Sequence, residues 1–176
     1  MKLYHYVHKG NNVLKKGLLS FATNPNADLH YYFKRTGGKT THKAICEWME
    51  NCYTGRSRAI RGFTEPIKYT ERSIHCLKDF IDNADMFEID ISAMDKASLI
   101  DAVYVSPPIT DFPDVTEEQG MDEITQKLSG IDDIDYSPID WSVCDDELGH
   151  RFAYIRYYLI VIRGGIIPPK YLKLIK

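Results

Sequence analysis

The chain has 176 residues, 44% of them hydrophobic and 27% charged, a length and balance that exclude a disordered polymer and are those of one folded domain. The net charge of −3 conceals two opposed blocks: Asp111 to Glu147 holds thirteen acidic residues and one basic residue, Lys127, for a local −12, while the remainder carries +9. That division argues against a uniformly basic nucleic-acid binder and points to an acidic segment that covers a basic face of its own domain, or to two surfaces for different partners.

In chain order, Leu3 to Val7 reads as a first strand, Asn12 to Lys16 as a short helix stopped by Gly17, and Leu18 to Ala22 as a further extended piece. Asn26 is placed to cap a helix through Arg35, which Gly37 and Gly38 end. The strongest helix follows Thr40 or Thr41, because Ala44, Ile45, Trp48, Met49 and Cys52 share one face. Ile60 to Phe63 reads as extended and Thr70 to Asn83 as helical, with Ile74, Leu77, Phe80 and Ile81 inward. Met86 to Ile91 and Ala102 to Ser106 have the β-branched and aromatic content of strands. Residues 107–149 form an acidic, loop-rich segment punctuated by Pro107, Pro108, Pro113 and Pro138, although Thr116 and Gln119 give a capping-box pattern ahead of Met121, Ile124 and Leu128. Phe152 to Ile162 favours strand, and Gly164-Gly165 followed by Pro168-Pro169 marks a turn before a last short element. This order predicts a single α+β domain with a central antiparallel or mixed sheet and several helices.

Cys46, Cys52, Cys76 and Cys144 contain no C-x-x-C pair and sit among apolar or helix-forming neighbours, which predicts reduced thiols in a cytoplasmic setting. The apolar run Tyr157 to Ile162 is far too short to cross a bilayer, so no membrane partner is expected. The opening MKLYHYVHKG lacks the apolar core and cleavage site of a classical signal, although export by a specialised machine stays open.

Several chemical motifs fail on spacing. Gly38-Lys39-Thr40 lacks the first glycine of a phosphate-binding loop, which would fall at Phe33. His5 and His8 lie three apart in extended chain and point to opposite faces, so no metal site is expected. His42 and Cys46 stand i, i+4 on one helical face, where an imidazole and a thiol meet; the plainer alternative is an inert, partly buried cysteine beside the apolar stripe. Gly55-Arg56-Ser57-Arg58-Ala59-Ile60-Arg61 brings three guanidinium groups together, and in an extended chain Arg56 and Arg58 would share a face and grip a phosphate or carboxylate. Tyr31-Tyr32-Phe33-Lys34-Arg35 mixes rings and cations as a single-stranded nucleic-acid site does, and equally as a helix with one buried and one solvated face does.

Leu3-Tyr4-His5-Tyr6-Val7, then Asn11-Asn12-Val13-Leu14 and Gly17-Leu18-Leu19-Ser20, resembles the opening of the ADP-ribosyltransferase-like superfamily, and Ile160-Val161-Ile162 to Ile166-Ile167-Pro168-Pro169 resembles its last strand and exit. The resemblance spans roughly the first and last twenty residues. It implies NAD as cofactor, with His5 holding a ribose and Tyr31 or, preferentially, Tyr32 stacking on the nicotinamide; Arg56 and Arg58 are matched to the pyrophosphate by their charge. The family's late Glu would orient the ribose and an acceptor on a protein or nucleic acid. Arg156, Tyr157 and Tyr158 occupy the position where the family carries it, so Glu147 is the candidate catalytic residue, with Glu65 behind it. The alternative function is a non-catalytic interaction module, of effector or inhibitor type, whose contact surface is the acidic segment.

Overall fold

The structure, a computed structural model, describes residues 1–33, 36–66, 81–94, 100–105 and 157–176. Six strands form one antiparallel sheet in the order β5-β6-β3-β1-β4-β8. These are β1 (Lys2–His8), β3 (Ala59–Phe63), β4 (Ala84–Asp90), β5 (Ile100–Val105), β6 (Tyr157–Ile162) and β8 (Leu172–Leu174). A second, two-stranded sheet pairs β2 (Leu18–Leu19) with β7 (Ile166–Ile167). With the helices α1 (Val13–Lys16), α2 (Leu29–Phe33) and α3 (His42–Cys52), this is the α+β architecture that the alternation of patterns predicts.

β6 explains why the sheet is covered on both faces. All six of its residues, Tyr157 to Ile162, are buried, as a strand with apolar side chains on alternate faces requires. Tyr158, Ile160 and Ile162 join Leu3, Ile60, Phe87 and Ile89 in one core, closed by Val13 of α1, by Leu18 and Ile167 of the small sheet, and by Ile91 and Tyr171. Tyr157, Leu159 and Val161 join Tyr6, Phe63, Met86 and Tyr104 in the other, against which Cys52 and Tyr53 pack from the end of α3. The small sheet is locked to α1 by Gly17, whose left-handed backbone (φ +84°) ends the helix and whose missing side chain lets the Ile167 carbonyl approach.

Two local expectations are corrected. The α2 helix begins later than Asn26: the Asp28 carboxylate accepts from the Tyr31 amide at 3.1 Å and so caps it, while Asn26 donates its own amide to the Asn24 side chain. Leu18 to Ala22 is not one extended piece, since after β2 the chain turns into a single 3₁₀ turn, Phe21–Thr23. Thr41 caps α3 through a bond from the Ala44 amide, as anticipated. Most of Thr70 to Asn83 and the whole acidic block lie outside the described residues.

The turn between α3 and β3 rests directly on β6. Gly55 has φ +84°, and a side chain there would stand 2.4 Å from Val161 Cγ1. Gly55→Ala is expected to destabilise the protein by about 2–3 kcal/mol, from left-handed backbone strain and overpacking together. Urea unfolding of the variant measures this; a loss under half a kilocalorie would show that the turn does not bear on β6.

Candidate functional site

The sheet has a weak seam at its centre. β1 pairs with β4 over its whole length, from Lys2↔Asp90 to His8↔Ala84, and β3 pairs with β6 at five positions, Ala59↔Val161 to Phe63↔Tyr157. Between β1 and β3 there is one paired position, Tyr4↔Phe63. At the point where the next ladder bonds would form, the His5 side chain takes over: its Nδ1 lies 2.7 Å from the Arg61 carbonyl oxygen. A carbonyl only accepts, so Nδ1 carries the proton, and the neutral ring keeps its lone pair on Nε2. Leu3 packs directly over Gly62, where any side chain would collide with it, so β3 comes close to β1 at this end of the seam.

Burial dominates the electrostatics of His5. Desolvation pushes its imidazole down to about 4, opposed by the hydrogen bond to the Arg61 backbone and assisted by the Arg61 guanidinium. The ring is therefore neutral at physiological pH, an acceptor at Nε2 rather than a cation. Arg61 itself lies over the Tyr157 ring, 4.8 Å from its centroid, with a buried Nε–H that has no hydrogen-bond partner among the described residues.

Two cavities lie beyond β1. Val7, which follows His5 on the same face of the strand, lines one of about 210 Å³ together with Gly10, Asn11, Asn12, Lys16 and Asn26. A second, of about 330 Å³, is lined by Ala22, Thr23, Ala27, Leu29 and His42, and the two share Asn24 and Pro25. The ring of Phe21 stacks on His42 (4.9 Å between centroids, planes 6° apart), and Tyr32 meets Phe21 edge-on at 4.9 Å. Amide side chains, the Lys16 ammonium and the His42 ring, which Phe21 backs, offer hydrogen bonds, charge and one flat ring face to a ligand. The sequence marks Asn11 and Asn12 only as part of a family-like segment and Asn26 only as a cap, not as cavity groups, because amides in a turn look the same whether they satisfy a loop or face a cavity.

The arginine pair is organised differently from its expectation. Arg56–Arg58 is a 3₁₀ turn, so the two side chains do not share an extended face. Arg56 is buried, its guanidinium 4.6 Å from the Trp48 ring centroid and 5.9 Å from that of Tyr53. Arg58 forms an ion pair with Asp101, which also receives Arg163 Nε at 2.9 Å. Desolvation opposes the Asp101 charge, yet the bonds from Arg163 and Arg58 outweigh it and hold the carboxyl below its ordinary range. On the other side of the turn, Glu50 accepts from the Gly55 amide (2.7 Å), the Ser57 amide (3.1 Å) and the Ser57 hydroxyl (2.5 Å). Both arginines are thus committed to holding α3, β3 and β5 together. Tyr31 and Phe33 are exposed, whereas Lys34, Arg35 and the candidate Glu147 lie outside the described residues. Glu65 is described and exposed, in the turn that follows β3.

The depressed His5 value fixes a sign. An unfolded histidine gains its proton near 6.5 while the folded one stays neutral to about 4, so its contribution is complete above pH 6.5 and is lost as the pH falls towards 4. The stability difference between wild type and His5→Phe is expected to shrink by roughly 2 kcal/mol between pH 7.5 and 4.5, the shift being discounted for partial exposure. Urea titrations at both pH values measure it, and a constant difference would contradict a partly buried ring held neutral by desolvation. No family model, curated protein or solved structure matches this chain.

Proposed function

We propose that this protein binds NAD in the manner of ADP-ribosyltransferase-like proteins, at the two adjoining cavities beyond β1, with His5 of the same strand, two residues before the cavity-lining Val7, as the ribose partner. The observation that carries the reading is the fixed tautomer of His5: Nδ1–H is spent on the Arg61 carbonyl, and Nε2 is an acceptor for a ribose hydroxyl. Support also comes from the larger cavity, which at about 330 Å³ falls in the size range of small-ligand sites and has the His42 ring, held by its stack on Phe21, in its wall. Tyr32, the ring expected to stack on the nicotinamide, packs edge-on against Phe21 behind His42. Lys16 is the cation for the pyrophosphate in this reading, in place of Arg56 and Arg58.

Transfer would need one more group. Breaking the nicotinamide–ribose bond develops positive charge on the ribose, which a carboxylate stabilises while it orients an acceptor hydroxyl. Glu147 is the candidate for that role, with Glu65 behind it. The acceptor, a protein or a nucleic acid, would approach from the solvent side. A second reading, an interaction module that works through the acidic segment, is favoured by the −12 and +9 division of charge.

Calorimetric titration with NAD tests the proposal. His5→Ala is expected to weaken binding by roughly 1–3 kcal/mol and Lys16→Ala by about 1 kcal/mol, while Arg58→Ala leaves affinity unchanged and lowers stability. Absence of heat and of thermal shift with millimolar NAD, in a folded wild type, would overturn the NAD reading and leave the interaction module. Deleting residues 111–147 should then abolish partner capture.

A further inference from the structure

At the foot of α3 a thiol meets the imidazole of His42, whose ring the NAD reading uses only as a cavity wall. Cys46 Sγ lies 3.8 Å from His42 Nδ1, one helical turn away. The opposite ring nitrogen, Nε2, lies 2.8 Å from the Phe21 carbonyl oxygen. Because that carbonyl only accepts, Nε2 carries the proton, and Nδ1 presents its lone pair to the thiol. Phe21 also supplies the ring on which His42 stacks, so one residue fixes both the plane and the tautomer of the imidazole. This is the relation of nucleophile, base and orienting group that activates cysteine in unrelated folds.

We propose that Cys46 and His42 form a thiol–imidazole nucleophile that takes small, uncharged conjugated carbonyl compounds. In the step, Sγ bonds to the β-carbon of the activated double bond and the thiol proton passes to His42 Nδ1. The electron pair of the double bond moves to the α-carbon, which then takes a proton from His42 and restores the neutral ring. The Phe21 carbonyl steadies the transient imidazolium through the Nε2–H bond. Cys46 is partly exposed, so a small reagent reaches it, and the imidazole it faces forms part of the wall of the larger cavity. Glu50 and Glu47 on the same helix repel an anionic reagent, which is why the class is uncharged. Burial and these two carboxylates push the Cys46 thiol up, so it rests protonated and gains its nucleophilicity from the base during attack.

Cys52, on the same helix, is the internal control: its thiol donates to the Trp48 carbonyl at 3.5 Å rather than to an imidazole. Limiting N-ethylmaleimide at neutral pH, followed by peptide mass spectrometry of the full chain, is expected to label Cys46 at least tenfold faster than Cys52. His42→Gln should bring Cys46 down to the rate of Cys52. Should that variant fail to fold, wild type in guanidinium gives the same answer, since native Cys46 should react faster than the unfolded one. Equal labelling of the two cysteines, a His42→Gln rate that matches wild type, or a native Cys46 slower than the unfolded one would each overturn the proposal.

Discussion

One imidazole spans the place where the sheet would otherwise come apart. The His5 Nδ1–H bond to the Arg61 carbonyl replaces a missing rung between β1 and β3 and satisfies a main-chain acceptor that the opened ladder leaves behind. Each half of the sheet, β5-β6-β3 and β1-β4-β8, is internally well paired, so the weakness is confined to this line. The same bond fixes the tautomer and puts an acceptor, not a cation, on the other side of the ring. The pairing of the two halves and the tautomer on which the proposed ligand contact rests therefore depend on one side chain.

The corner opposite the seam is held by charge that is used up internally. Glu50 gathers the amides of Gly55 and Ser57, Arg56 lies over Trp48, and Asp101 draws Arg58 and Arg163 towards β5. These contacts fix α3 relative to β3 and β5, and through α3 they fix His42 against Phe21. A guanidinium paired with a carboxylate has little left to offer a ligand phosphate. Lys16, at the end of α1 and on the wall of the smaller cavity, is the better-placed cation.

Much of the fold was legible because its signals are local. The strand content of Leu3 to Val7, the stripe Ala44, Ile45, Trp48, Met49 and Cys52 on α3, of which Ile45 and Met49 are fully buried, and the Gly17 stop each depend on a few neighbouring residues, and each element forms in the structure. His5 was legible as a site residue only by resemblance, since nothing in its neighbours announces that the carbonyl 56 positions away lies within hydrogen-bond reach. The arginine cluster misled for a related reason. Spacing two apart gives a shared face only in extended chain, and Gly55 with the Glu50 carboxylate turns this stretch into a 3₁₀ turn instead. Its partner Asp101 lies 43 positions further on, beyond the reach of any local pattern. The His42–Cys46 contact was legible because helical spacing brings i and i+4 together, whereas the Phe21 carbonyl that orients it was not.

Residue-resolved amide exchange across β1 and β3, with and without NAD, tests the central claim most directly. Amides directed into the seam should exchange much faster in the free protein than those of the same strands bonded to β4 and β6, and NAD should slow the seam amides selectively. Seam amides that are already as protected as their neighbours, or that NAD leaves unchanged, would contradict an open seam whose His5 is the ribose partner.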